Sequence, residues 1–551
     1  MSRVIVVGSG ATGGWVAKEM SEYGFQVLVL EAGQATLTQP SGTEQIHSHT
    51  SDNHVIQRKC RVFNTWTRPY FINDPEHPYT TPPDLPFRWI RTNVLGGRTR
   101  IWGGQVYRMS DFDFQATSTD GCGIDWPLRY QDLAPYYDRV ERFLGVTGTI
   151  ERLPQLPDGI FLPAQPLESD IEVLLRSSAE QSELRLIPAR ITERPGLDSV
   201  QPCPHCGRIN QGCHRYTSSV ETTLAAALQT GRVELRVNTL VHRIIVNQAG
   251  LACGVSVIDK STGERYDIQG QFIFLCASTL ESTRILLNSR SEQHPHGIGN
   301  RSGVLGHYLT VHLYGAYVVG QVRVTRADRV QPLRQTRLLY IPRWQNLTQR
   351  THPSFVRGYS YLVAVTPFHL ATLNPPGCFN PEPSSANRLL TSDRYLIGFY
   401  PFGEAVPRYD NYVEIDRHGG VDAWGIPTLH IHYSYEDSDQ AMARDMVTTA
   451  TGLIRRAGGS IMKAQNYLTE PGLCVHEAGT CRMGRDPKTS VLNAYNQCHE
   501  VSNLFVVDGG AFPSLPSQNP TLTMMSLAVR ACAYANQQIR AGMIVLHSEE
   551  E

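Results

Sequence analysis

Three stretches of this chain combine residue types and spacings suited to chemistry. Near the start, Val4-Ile5-Val6-Val7 runs into Gly8-Ser9-Gly10-Ala11-Thr12-Gly13, a G-x-G-x-x-G pattern. A helical pattern follows through Met20, then an apolar run, Gln26–Leu30, that stops at Glu31, 21 residues after Gly10. Each part has a mechanical reason. Gly8 permits a tight turn, Gly10 lets the backbone close on a pyrophosphate, and Gly13 lets helix and strand pack tightly. The helix that opens there offers free N–H groups and its positive dipole end to phosphates. Glu31 can take two ribose hydroxyls and would repel a 2′-phosphate. Strand, glycines, helix, strand and acid in register imply an ADP-containing cofactor, and leave FAD and NAD both open.

The second stretch lies at the far end. Val475-His476-Glu477-Ala478-Gly479-Thr480-Cys481-Arg482-Met483-Gly484 is compact and glycine-punctuated, and Asn503–Asp508 reads as a strand ending at an acid and two glycines. Asn519-Pro520-Thr521 opens a long helical pattern through Ala535, with proline marking the first turn. Such an N-terminus offers positive potential to whatever precedes it. Read without context, His476 is a loop histidine satisfied by its neighbours rather than a base. The third stretch, Leu95-Gly96-Gly97-Arg98-Thr99-Arg100-Ile101-Trp102-Gly103-Gly104, places two glycine pairs around a tryptophan. That suits backbone lying flat against a large planar group, or a tight turn under a buried tryptophan. Cys203, Cys206 and Cys213 form the one cysteine cluster. A metal or iron–sulfur site and a loop of thiols both fit it, and no metal is assigned because a fourth ligand is missing.

The elements that must position these residues are those of an α/β chain. With 551 residues it has room for about three to four domains. Hydrophobic residues make up 41% and charged residues 18%, which excludes wholesale disorder. A net charge of −1 gives no electrostatic footprint for nucleic acid. No apolar stretch is long enough to span a bilayer, and no leader pattern precedes Val4, so a cytoplasmic enzyme is expected. Segment 34–90 reads as an excursion or lid. Strands are expected at Val233–Val237, Val241–Val246 and Phe272–Cys276, with a helix over Leu280–Leu287, as a second βα passage that could complete the nucleotide-binding sheet. From 306 to 465, aromatic-rich alternating runs such as Tyr359–Val365 and Tyr395–Tyr400 predict an antiparallel sheet.

Taken together, the glycine fingerprint through Glu31-Ala32-Gly33, Gly96–Gly104, Gly306–His312, His476–Gly484, Asn503–Gly510 and Asn519–Thr521 occur in the order of one family. The chain resembles the glucose–methanol–choline (GMC) family of FAD oxidoreductases over nearly its whole length. Asp125-Trp126-Pro127, Tyr136-Tyr137, Gly145–Gly148 and the cysteine loop are similar to its sugar and polyol dehydrogenase and pyranose oxidase branch. The resemblance implies a doubly wound FAD-binding domain in three segments (1–165, 215–305 and 466–551) with an inserted antiparallel substrate domain (306–465).

It also implies hydride transfer from a hydroxyl-bearing carbon of a sugar, glycoside or polyol to flavin N5. His476 is then the proton acceptor and Asn519 the group that orients the hydroxyl. Neutral imidazole suits the first task; an amide donates and accepts without titrating and suits the second. At the FAD the resemblance places Gly8, Gly10, Thr12, Gly13, Glu31 and Ala32, and the loop residues Arg98, Thr99, Ile101, Trp102, Gly103 and Gly104. Val241 and Ala277 would meet the adenosine half, Asp508 and Gly509 the ribityl and pyrophosphate, and Pro520 and Thr521 the flavin. Ile101 stands where some members carry a flavin-linked histidine, which implies non-covalent FAD. His312 matches a common family position and reads as structural. The three-cysteine spacing differs from that of iron–sulfur members. The electron acceptor would be O2, a quinone or a redox partner. The alternatives are a non-sugar alcohol (choline, aryl or lipid) as substrate, a non-redox flavin lyase, and an electron-relaying flavoprotein subunit.

Overall fold

The β-branched run at the N-terminus becomes a central strand because both its faces are covered. Val4, Ile5 and Val6 are fully buried. In the computed structural model, which describes residues 3–35, 53–64, 67–192, 217–324, 333, 336–368 and 393–542, this strand (Arg3–Val7) lies in the middle of a five-stranded parallel sheet. The spatial order is Leu504–Val506, Phe272–Leu275, Arg3–Val7, Gln26–Leu30, Val233–Arg236. Numbered along the chain and read from the opposite edge, that order is 3-2-1-4-5, the doubly wound arrangement, whose ligand crevice opens where the order reverses. The reversal falls between Arg3–Val7 and Phe272–Leu275, directly beneath Gly8. The helices Ala11–Glu22 and Thr521–Arg540 pack on each other over this sheet.

Of the second βα passage, Phe272–Leu275 joins the parallel sheet and leads into the helix Thr279–Asn288. The segment around Val241 does otherwise. Thr239–Val246 pairs antiparallel with Ala252–Asp259 in a separate three-stranded sheet. Its alternating burial reflects a strand covered on one side, which the parallel sheet would not tolerate.

The aromatic-rich region forms an eight-stranded sheet. Tyr317–Arg323, Arg337–Ile341, Tyr359–Pro367, Arg394–Glu404 and Ser460–Gln465 make its antiparallel body, joined by the short strand Ile187–Pro188. One further pairing matters most. Thr310–Leu313 bridges the end of Arg394–Glu404 and the two-residue strand Glu477–Ala478, and so ties this sheet to the His476 segment. The cluster Cys203, Cys206, Cys213 lies outside the described residues. Among the described residues no group of three or more His, Cys, Asp or Glu is placed to hold a metal ion, and no helix is long and apolar enough to cross a membrane.

Candidate active site

At the nucleotide end the three glycines differ in what surrounds them. Gly8 has φ +99°, and a Cβ there would sit 2.6 Å from the Cys276 carbonyl oxygen. A Cβ on Gly13 would lie 1.9 Å from the Gly8 carbonyl oxygen, inside contact distance of the turn itself. Gly10 is different: its nearest neighbour would be the Gly96 oxygen at 4.0 Å, so it faces open space. No side chain caps the helix that starts at Ala11, which leaves its first N–H groups to a ligand. Glu31 organises the turn. Its Oε2 accepts from the Ser9 N–H (2.9 Å) and hydroxyl (2.5 Å), and its Oε1 from the Gly33 N–H (2.7 Å). The Ser9 oxygen in turn accepts from the Gly96 N–H at 2.8 Å, which fixes the loop carrying Arg98 to Gly104.

A single cavity of about 540 Å³ runs from Gly8 past Glu31 and the Arg98–Gly103 loop to His476 and Asn519. Every residue expected at the cofactor or the reacting hydroxyl lines it, apart from Gly13 and Gly104. Gly13 is turned onto Gly8. Gly104, at φ +62°, accepts the Thr192 N–H through its carbonyl behind the loop.

His476 owes its position to strand register. Thr310 pairs with Ala478 and Val311 with Glu477, so the next step of this antiparallel ladder sets His312 opposite His476. Their Nδ1 atoms are 2.9 Å apart, and the His312 Nε2 lies 2.6 Å from the Pro516 carbonyl oxygen. A carbonyl only accepts, so His312 Nε2 carries the hydrogen and donates it. Neutral His312 then has a bare Nδ1, which accepts from the His476 Nδ1–H. The hydrogen-bond network thus assigns His476 the tautomer whose free lone pair is on Nε2. Both rings are held neutral. Burial pushes His312 down to about 4. Burial, then the proximity of His312, Arg61 and Arg98, holds His476 well below the ordinary histidine range.

The backbone around His476 is strained and clamped. Val475 at φ +64° and Thr480 at φ +60° are β-branched residues in the left-handed region, a conformation that persists only where its surroundings impose it. Arg98 supplies one clamp: its Nη1 donates to the Val475 carbonyl (2.7 Å) and the Glu477 carboxylate (2.6 Å), and its Nη2 to Ser278 Oγ (2.5 Å). Asp508, expected beside the cofactor, accepts from Ser282 Oγ (2.5 Å) and the Gly510 N–H (2.9 Å), and burial raises its pKa to about 6.

The loop carrying Asn519 is equally fixed. Trp126 Nε1 donates to Ser514, His312 to the Pro516 carbonyl, Ser360 to the Ser517 carbonyl, and Gln518 to Asp113. His312 therefore links the two segments that present His476 and Asn519.

Several cavity residues were not singled out from the sequence. Leu338, Leu362, Ala364, Tyr400 and Phe402 come from three adjacent strands, with Leu362 opposite Tyr400 and Leu338 opposite Ala364. The period of two was the available signal: Tyr400 and Phe402, like Leu362 and Ala364, share one sheet face. The Phe402 ring lies 5.7 Å from the His476 ring and 5.8 Å from that of Tyr314. Arg61, from the segment without periodicity, also lines this end and carried no signal.

Family models for GMC oxidoreductases match residues 4–314 and 407–528, the amino- and carboxy-terminal parts of one family. The chain belongs to the GMC oxidoreductases. It is thus an oxidoreductase acting on CH–OH groups, in a family that depends on FAD. It is 28% identical to 2-methyl-1,2-propanediol dehydrogenase of Mycolicibacterium austroafricanum, over 97% of this chain and 95% of that protein. It is 27% identical to paromamine 6'-oxidase of Streptomyces fradiae, over 96% and 90%. The fold is similar to that of pyridoxine 4-oxidase from Mesorbium loti (TM-score 0.58, 16% identity, all of both chains covered). The enzyme's own residues fit FAD. The open space over Gly10, the uncapped helix at Ala11 and the glycine-bordered loop at Arg98–Gly103 line one cavity that continues to His476.

Proposed function

We propose that this enzyme oxidises a hydroxyl of a sugar, glycoside or polyol, with His476 as the proton acceptor, Asn519 orienting the hydroxyl and FAD held without a covalent link. The observation that carries the reading is the Pro516–His312–His476 chain of hydrogen bonds, which ends at the cavity. It leaves His476 Nε2 as a lone pair available to a substrate hydroxyl. Bound FAD supplies the hydride acceptor. His476 takes the hydroxyl proton, because a carbon releases hydride far more readily once its oxygen is an alkoxide. Asn519 holds the hydroxyl oxygen through its amide without competing for the proton. The pinned loops on both sides supply the orientation that such a transfer requires. Ile101 in the flavin loop, an aliphatic side chain, supports non-covalent binding. The relatives that act on a diol and on paromamine, as their names state, support a polyhydroxylated substrate. A cytoplasmic location is part of the same reading.

Two expected outcomes follow from the histidine pair. The acid limb of the flavin-reduction rate lies well below pH 6.5, because a proton on His476 blocks it and burial disfavours that proton. Rates measured anaerobically from pH 5 to 9 therefore form a plateau through neutrality; a midpoint at or above 6.5 would contradict this. His312→Leu keeps FAD but slows reduction roughly 10- to 100-fold, because His476 loses the acceptor that fixes its tautomer. His312→Gln, which both donates and accepts, recovers part of the rate.

The reading as a whole is tested by dye-coupled turnover with sugars, polyols, choline and benzyl alcohol, with products identified by mass. Carbonyl products two hydrogens lighter from the sugars and polyols are expected. Turnover confined to choline or benzyl alcohol would overturn the substrate class.

A further inference from the structure

Arg61 stands at the His476 end of the cavity, and the proposed chemistry leaves it unused. Its side chain is exposed, and it lines the same cavity as His476 and Asn519. Burial works against its charge, but Tyr314, Cys60 and Tyr400, with a hydrogen bond to Tyr314, more than offset that and hold its pKa up. Both tyrosines border the cavity, half-buried, on the side of the antiparallel sheet. The Tyr314 ring stacks on Phe402, 5.8 Å away, and Tyr400 shares the sheet face of Phe402, whose ring is 5.7 Å from that of His476. A guanidinium and two phenols thus surround the space beside the reacting hydroxyl.

This array favours one kind of substrate. A guanidinium presents a planar fork of N–H donors matched to a carboxylate, which it can bind through two parallel hydrogen bonds. Leu338, Leu362, Ala364 and Phe402 line the same cavity and offer an anion no competing hydrogen-bond donor. The guanidinium attracts an anion there and repels a cationic group. A neutral polyol offers Arg61 only acceptor oxygens. We infer that Arg61, with Tyr314 and Tyr400, is a carboxylate-binding subsite, and that the substrate is an acid-bearing polyol or sugar: an aldonate in its open-chain form or a uronate in its ring form. This rests on the alcohol-oxidation reading and narrows its substrate class. A bound carboxylate would also offset the charge that Arg61 projects onto His476, so the two subsites communicate.

The test uses matched pairs that differ only in the acid group: D-gluconate with D-glucitol, and D-glucuronate with D-glucose. Binding is read by calorimetry on His476→Ala holoenzyme, which does not turn over, and kcat/KM on the otherwise native enzyme. In each background Arg61 is then replaced by Gln or Lys. One acid is expected to be preferred over its neutral partner by at least roughly 10-fold, and Arg61→Gln to weaken that acid roughly 100-fold. Arg61→Lys should recover part of the loss, since it keeps the charge without the fork. The acid limb of the rate should lie at higher pH with the acid than with its neutral partner. Which pair responds decides between the open-chain and ring forms. Equal handling of acid and neutral partner, or an Arg61→Gln loss that falls on both alike, overturns the subsite while oxidation of glucitol or glucose leaves the alcohol-oxidation reading standing. Arg61-dependent binding of an acid with no oxidation of any member removes that underlying reading, and the substrate proposal with it.

Discussion

His476→Ala is expected to purify with FAD bound and to lose flavin reduction by substrate roughly 10²–10⁴-fold, the range that a positioned proton acceptor supplies. The two effects separate because His476 contributes little to the walls that hold the cofactor. Those walls are the Gly8–Gly13 turn, the Arg98–Gly103 loop and the Asp508–Gly509 corner, each fixed by bonds that do not involve the imidazole. The segment also keeps its path, since the Thr310–Ala478 and Val311–Glu477 pairs and the Arg98 clamp are made by other residues. What the variant lacks is the Nε2 lone pair. Stopped-flow reduction under anaerobic conditions, with FAD content measured on the same sample, reads both quantities. Reduction at the native rate with FAD retained would remove His476 from the base position. Loss of FAD would mean that the segment does more for the fold than its hydrogen bonds indicate.

The second large effect falls on the cofactor turn. Gly13→Val would drive a Cβ to within 1.9 Å of the Gly8 carbonyl oxygen, a backbone atom, where no flexible side chain can give way. Helix and turn must separate, at a cost of more than about 3 kcal/mol, and the expected product is poorly folded and free of flavin. Gly10→Ala is the informative partner. Its methyl would meet nothing closer than the Gly96 oxygen at 4.0 Å, so the protein keeps its fold while the methyl intrudes on the space reserved for pyrophosphate. Circular dichroism and the ratio of flavin to protein absorbance distinguish the two variants. A Gly13→Val protein that folds and holds FAD would show that the turn is looser than its geometry, and a Gly10→Ala protein with native FAD affinity would move the phosphates elsewhere.

The contrast between those glycines explains what could be read from the chain alone. Gly8, Gly10, Gly13 and Glu31 are close in sequence and act through local backbone geometry, so their spacing already contains their roles. Asn519-Pro520-Thr521 is legible for the same reason, as a helix start. His476 is the opposite case. Its surroundings give no local signal, because its partner is His312, 164 residues away, and the two meet only through a strand pairing that no spacing reports. His312 reads as structural by sequence, and the register sets it against the His476 ring. Val241 lines the cavity as expected, but from an antiparallel sheet, because a strand covered on one face and one covered on both differ by packing more than by composition. Tyr400 and Phe402 follow a period of two that marks a shared face without saying what it faces. Arg61 sits in a stretch with no periodicity at all, and only the folded cavity reveals it.

The proposed function requires that this cavity let an alcohol reduce a bound flavin. The direct measurement is the visible spectrum of the purified holoenzyme, taken anaerobically before and after addition of sugars, sugar acids and polyols, with simple monohydric alcohols alongside. Bleaching of the flavin band by a polyhydroxylated compound, and its failure to bleach in His476→Ala, is expected. A flavin band that no polyol bleaches, or one that bleaches as readily without His476, would contradict it.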